Sequence, residues 1–341
     1  MPMIIVMPPV GAIAVPHDGR IRVPSTHADR RRATLKPVEP PIVEPSGVSV
    51  RALFMLMRPR QWTKSVLVFG APAAAGIIFT AGAMISCLVA AVAFALVSSA
   101  VYCMNDARDV AEDRLHPKKS KRPIAAGLVS VRQAWALGAV LLVAGLAMGT
   151  ALAPLCGAVL ALYVAAQVAY SFGAKAEPVV ELVIVASGFV LRMIAGGLAV
   201  GVPLSAWFLT VAAGGALLVV TSKRLAELKN MGTDAGSHRA VLAEYGEPFL
   251  RMLVGICGTI VILGYALWAF GGVQGFASAS GAQTLLLQLS TVPFLTAVLR
   301  FVLIADKGDG GEPEEVVLAH RALQVMGALW VLLFLAGTTI G

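Results

Sequence analysis

Asn105–Arg122 reads NDARDVAEDRLHPKKSKR and lies between two apolar runs, 84–104 and 131–150. As helices, both runs are long enough to cross a hydrocarbon core about 30 Å thick. The charged stretch is therefore the turnaround between two membrane spans. Continued as a helix, it puts Asp106, Asp109 and Asp113 at i, i+3 and i+7 on one face, with Asn105 at its border. Like charges at that spacing repel by a few tenths of a kcal/mol per pair, roughly, so something must compensate them. Hard oxygen ligands suit Mg²⁺, above all a Mg²⁺ already carrying a substrate's phosphates. Arg114, Lys118, Lys119, Lys121 and Arg122 follow at once and are able to hold phosphate oxygens. A positive-inside signal accounts for the lysines, but not for three aspartates on one face. Carboxylates, a metal and cations together equip a site for a diphosphate.

The rest of the chain agrees with a membrane setting. Of 341 residues, 58% are hydrophobic and only 13% charged, with a mean hydropathy of +0.81. Soluble domains carry about 25% charged residues. The net charge of +8 is read as bias of one membrane face, not as a nucleic-acid footprint, because no soluble domain displays it. Cys87, Cys103, Cys156 and Cys257 stand singly in apolar runs, which suits packing better than disulfides or metal ligation. Residues 1–49 differ: nine of the chain's 19 prolines fall there. That composition predicts a disordered tail, without the basic start of a signal peptide, ahead of a membrane domain at 50–341.

Hydropathy predicts about nine spans, near 62–80, 84–104, 131–150, 154–172, 178–200, 204–222, 250–270, 284–305 and 319–339. The linkers alternate. Those near 81–83, 151–153, 201–203 and 271–283 carry no charge, whereas 50–64, 105–132, 173–177, 223–251 and 306–321 carry nearly all of it. The expected fold is thus all-α and polytopic, with every candidate catalytic group on one face of an inner (cell) membrane, the cytoplasmic one.

Four further stretches bring candidate residues. Arg58, Arg60 and Lys64 flank Trp62 in RPRQWTKS, either as an interfacial anchor or as cations facing the acidic stretch. Tyr170-Ser-Phe-Gly-Ala-Lys175 ends the fourth span, where Lys175 could simply snorkel. Arg192 lies eleven residues beyond Glu181, about 16 Å deeper in the bilayer. A charge there is expected to face a cavity, with Glu181 or a loop carboxylate as partner. SKRLAELKN brings Lys223 and Arg224 to the place where a second aspartate motif would stand in enzymes that transfer a prenyl diphosphate. One acidic and several cationic stretches suggest two phosphorylated substrates. Small residues such as Gly196, Gly197 and Gly201 allow close helix contacts, including those of a homo-oligomer.

N-D-x-x-D-x-x-x-D after the second span, RPxQWxK upstream and RPIAAG downstream resemble the UbiA-type polyprenyl transferase superfamily. The similarity runs from about Val50 to the C-terminus. It extends through AYSFGAK, VLRMIAGG, SKRLAEL, PFLTAVLRFVL and GEPEEVVL, which resemble those members that transfer phosphoribosyl to a polyprenyl phosphate. The resemblance implies a nine-helix bundle around a laterally open cavity. It implies transfer from 5-phosphoribosyl 1-diphosphate to decaprenyl or another polyprenyl phosphate, for precursors of cell-wall arabinan. It further implies that Asn105, Asp106, Asp109 and Asp113 hold Mg²⁺ and the diphosphate, Asp106, Asp109, Asp113 and Lys175 acting in catalysis. Tyr170 and Lys175 would bind the ribosyl donor, with Arg58, Lys64, Arg122, Lys223 and Arg224 as phosphate ligands. The chemistry agrees with the residues. Departing diphosphate must be stabilised, while a phosphate nucleophile is already anionic and needs no strong base; His116 is a bystander. Two other readings compete: prenyl transfer to an aromatic or lipid acceptor, and an ion-coupled transporter or scramblase. Against the second, no broken-helix inverted repeat is evident.

Overall fold

A computed structural model describes residues 49–231, 240–271, 281–311 and 313–339. All lie in the second of two compact units, Glu44–Gly341. The predicted tail falls outside the described residues except for Ser49, whose hydroxyl caps the first helix by accepting from Ala52 N–H.

The elements run α1 (Val50–Leu56), a 3₁₀ stretch (Pro59–Phe69) leading into α2 (Gly70–Ala74), α3 (Ala81–Arg108), α4 (Val110–Leu115), α5 (Val131–Leu152) and α6 (Pro154–Ser171). There follow α7 (Val180–Ala199), α8 (Ala206–Met231), α9 (Glu247–Phe270), α10 (Gly281–Lys307), α11 (Pro313–Ala319) and α12 (Arg321–Thr339). No strand occurs among the described residues. Eight helices, α3, α5 to α10 and α12, are long and apolar enough to span a membrane. Local chemistry sets their ends. Thr80 caps α3, Ser130 and Gln133 form a capping box on α5, and Pro154 opens α6, where its missing N–H costs nothing.

The first predicted span is the exception. Instead of one α-helix over 62–80, it is eleven residues of 3₁₀ and five of α-helix, ended by Gly76 at φ +73°. At about 2.0 Å per residue for 3₁₀ and 1.5 Å for α, these reach about 30 Å, so the element has the length of a span although it is not among the eight. Its contacts trace its course. Arg58 meets Asp106 at the charged end of α3, whereas Val68 meets Gly196, sixteen residues into α7 from the same end. A Cβ on Gly196 would lie 1.7 Å from Val68 O, so the two backbones touch there. Gly197 likewise faces Leu204, and Gly201 turns the chain at φ +70°. The structure thus uses Gly196, Gly197 and Gly201 within one chain.

α3 packs mainly on α5, α8 on α9 and α10 on α12, while α7 sits among α3, α6, α8 and the first span. One apolar cluster joins Phe94, Val97, Leu160 and Leu191; another joins Leu182, Leu225, Leu250 and Val261. The four cysteines are buried and unpaired, as their setting predicts. The charged ends of α3, α6, α7 and α8 meet above these clusters and build the site.

Candidate active site

α3 ends at Arg108, and Asp109 takes the junction with α4 at φ −89° and ψ 12°. The i→i−4 bonds Asp109 N–H to Asn105 O and Asp113 N–H to Asp109 O persist across it, so the three aspartates stay on one side. Their surroundings differ. Asp106 and Asp113 are buried, at 3% and 2% exposure, and Asp109 is half-buried. Arg122 Nη1 bridges Asp106 Oδ1 at 3.0 Å and Asp113 Oδ2 at 2.7 Å, and Arg58 Nη2 reaches the same Asp106 oxygen at 2.6 Å. Asp109 accepts from Arg108 Nε at 3.0 Å. The repulsion among the carboxylates is therefore met by arginines. Among the described residues no three acidic, His or Cys side chains converge as a ready-made metal cage. Of the expected four ligands, Asn105, Asp106 and Asp109 line the cavity, whereas Asp113 lies outside it, bonded to Arg122.

Arg58 and Lys64 do face the acidic stretch, and the 3₁₀ winding is the reason. At 3.0 residues per turn, residues three apart stack in one row, and Arg58, Gln61 and Lys64 all line the cavity. Arg58 itself has φ +54°, a left-handed conformation uncommon outside glycine. It also lies over the Tyr102 ring, 4.6 Å from the centroid, and Lys64 stands 5.7 Å from the Phe189 ring. Trp62, on the other side of the winding, donates to Ser99 Oγ and fixes the element to α3.

Across the cavity, α8 supplies Lys223 and Arg224. Arg224 is committed: Nε and Nη2 donate to the two oxygens of Glu181 at 2.7 and 2.9 Å, and Nη1 donates to Glu227 at 2.9 Å. Glu181 is fully buried and Arg224 only 4% exposed, a dry two-toothed pair. Tyr245 closes over it. Its hydroxyl accepts from Val179 N–H at 2.7 Å, and burial pushes its phenol above the usual range.

This arrangement overturns the expected role of Arg192. Its predicted partner Glu181 belongs to Arg224, and Arg192 does not line the cavity. Instead its guanidinium lies 5.1 Å from the Phe94 ring and 4.9 Å from the Tyr163 ring, with Nη1 donating to Gly188 O. Two π faces and a carbonyl stabilise the charge without any cavity.

The cavity holds about 420 Å³. Of the candidates, Arg58, Lys64, Asn105, Asp106, Asp109, Arg122, Tyr170, Lys223 and Arg224 line it, with Lys119 from the basic run. Lys175 does not; it is exposed on the Ala174–Ala176 turn. His116 caps the turn after α4, its Nδ1 accepting from Lys118 and Lys119 N–H. The sequence reading missed Gln61, Tyr102 and Phe189, all in the wall. Tyr102 was within reach of periodicity, being four residues before Asp106; Gln61 was not. Also missed was the join between α3 and α6. Ser171 donates to Asn105 Oδ1 at 3.0 Å, and Arg108 Nη2 donates to Ser171 O.

Charge and chemistry of the wall are unequal. Six lining side chains are cationic and two anionic, while Val185, Phe189, Val219 and Val220 form an apolar side. Such a site takes a polyanion at one end and an apolar group beside it. Mg²⁺ fits this donor set. It keeps several waters and binds through one or two carboxylates plus substrate phosphates, and Asp106 and Asp109 are the two carboxylates in the wall.

A profile of the UbiA prenyltransferase family matches residues 66–323. The chain belongs to that family. It is 41% identical over 283 residues to a decaprenyl-phosphate phosphoribosyltransferase of Corynebacterium glutamicum, covering 81% of this chain and 83% of the relative. With the decaprenyl-phosphate phosphoribosyltransferase of Mycobacterium tuberculosis it shares 40% identity over 294 residues, 85% of this chain and 95% of the relative. The fold is that of a UbiA homolog from Archaeoglobus fulgidus bound to DMAPP and Mg²⁺, with a TM-score of 0.64 at 18% identity, over 84% of this chain and 99% of the other.

Proposed function

We infer that the protein is a membrane-embedded pentosyltransferase that moves 5-phosphoribosyl from 5-phosphoribosyl 1-diphosphate to decaprenyl phosphate and releases diphosphate. The observation that carries this is the 40–41% identity to decaprenyl-phosphate phosphoribosyltransferases along most of the chain. The cationic excess in the wall supports it, since both substrates and the leaving group are phosphates.

A lipid phosphate oxygen forms a bond to the anomeric carbon as the bond from that carbon to the diphosphate oxygen breaks. Arg58 and Arg122 balance Asp106 in the resting site and are about 30% and 28% exposed, so both can turn to an incoming diphosphate. Lys119 extends that pole. Asn105, Asp106 and Asp109 would hold Mg²⁺, which supplies further neutralisation of the departing charge. Asp113 keeps Arg122 in place from behind. Lys223, on the opposite wall, suits the lipid phosphate, whose chain then lies along Val219, Val220 and Phe189 toward the bilayer. Fixed cations around developing negative charge are the main source of rate here. The charged face is assigned to the cytoplasm by its excess of Lys and Arg, and the product serves cell-wall arabinan synthesis.

The test uses membranes containing the protein, labelled 5-phosphoribosyl 1-diphosphate, Mg²⁺ and decaprenyl phosphate. Label is expected in the organic phase, and to vanish with EDTA or with Asp109→Asn. Transfer from a prenyl diphosphate to an aromatic acceptor, with none from the ribosyl donor, would sink the assignment.

A further inference from the structure

The proposed transfer leaves Gln61, a side chain of the wall, without a task. Gln61 lies between Arg58 and Lys64, one 3₁₀ turn from each, or about 6 Å along the axis. In an α-helix the three would fan apart by about 60° per step; the tighter winding holds them in one row. The row begins at the acidic pole, where Arg58 meets Asp106, and ends at Phe189 on α7, beside Lys64. Its order is cation, neutral amide, cation.

Two of the other neutral polar groups of the wall are already placed. Asn105 is held by Ser171, and Tyr102 lies beneath the Arg58 guanidinium. Among the described residues, Gln61 makes no side-chain hydrogen bond, so its amide is open to a ligand. A carboxamide both donates and accepts, so a hydroxyl can use both of its ends, whereas a phosphate uses only its N–H side. A pentose with phosphate at each end offers the same order as the row: anion, hydroxyls, anion. A prenyl diphosphate would set C–H groups against the amide and leave it unbonded, a strong ground for rejection.

We propose that Gln61 binds a ring hydroxyl of the pentosyl donor and thereby selects a sugar diphosphate over a prenyl diphosphate. The proposal rests on the function inferred above. Its test compares three donors on the full-length enzyme, with decaprenyl phosphate as acceptor: 5-phosphoribosyl 1-diphosphate and its 2-deoxy and 3-deoxy analogues. Gln61→Leu is expected to lower kcat/KM on the full donor by roughly ten- to a hundredfold. On the analogue lacking the bonded hydroxyl, the variant should be no worse than the unsubstituted enzyme, and KM for the acceptor should not move. Equal loss on all three donors would make Gln61 structural and overturn the proposal. So would an unsubstituted enzyme that uses both deoxy donors as well as the full one, a result that needs no variant to fold. Absence of any ribosyl transfer by the unsubstituted enzyme would remove the function itself, and this inference with it.

Discussion

The charged ends of α3 and α8 are built as opposites. On α3 the spanning helix carries the carboxylates, and the cations come from elsewhere, Arg58 before the first crossing and Arg122 after α4. On α8 the helix carries the cation, and the carboxylate comes from Glu181 of α7. Water separates the two cases further. Arg58 and Arg122 are 30% and 28% exposed against buried aspartates, whereas Arg224 and Glu181 are 4% and 0% exposed. A half-open arginine can turn to a phosphate once another cation takes its place at the aspartate. A dry pair cannot, because separating it strands a buried charge. One end is therefore equipment for a ligand and the other is part of the frame.

The most direct way to break that comparison is at the open end. Arg122→Lys, which keeps a cation beside Asp106 and Asp113 but loses the planar fork, should lower kcat/KM by about two to three orders of magnitude, with the thermal midpoint in detergent little changed. A large loss of stability there would mean that the open end is frame too. At the dry end the expectation reverses. Glu181→Ala should destabilise the protein by about 3–5 kcal/mol, read from thermal unfolding, and Glu181→Leu with Arg224→Met should recover most of that stability. If the single variant melts like the parent, the dry pair is not structural. A smaller effect is expected at Gly196→Ala, whose new methyl meets Val68 O. About 1–3 kcal/mol of overpacking should result, and KM for the ribosyl donor should rise as the row on the first span shifts. The smallest effect belongs to Arg192→Met. It removes a buried cation whose contacts, the Phe94 and Tyr163 rings, the Tyr163 hydroxyl and Gly188 O, all lie outside the cavity wall, so activity should stay within about threefold of the parent. A hundredfold loss would return Arg192 to the site.

These contrasts also mark what a reader of residues could and could not see. The membrane bundle was legible because apolar runs and charged turnarounds alternate; Asp106, Asp109, Arg122 and Lys223 were legible from spacing and charge, and Tyr170 only through the resemblance. Arg192 misled because a charge deep in a span suggests a cavity; the rings of Phe94 and Tyr163 satisfy it, and they arrive from other helices. Arg224 looked like a free cation because its main partner is 43 residues away. Asp113 was legible as part of the acidic face, but its bond to Arg122 was not, because only the fold brings Arg122 between it and Asp106. Gln61 was invisible for a different reason. A neutral residue among the cations of RPRQWTKS carries no signal at a period of 3.6, and the winding that exposes it has a period of 3.0.

That winding has a consequence for how the protein can vary. A bilayer measures thickness in ångströms, and here sixteen residues extend about 30 Å where an α-helix would take about twenty. The economy makes the segment intolerant of insertion. One residue added between Arg58 and Lys64 would turn everything beyond it by about 120°, carrying part of the row out of the wall in a single step. Substitutions along this segment can be graded; a change in its length cannot.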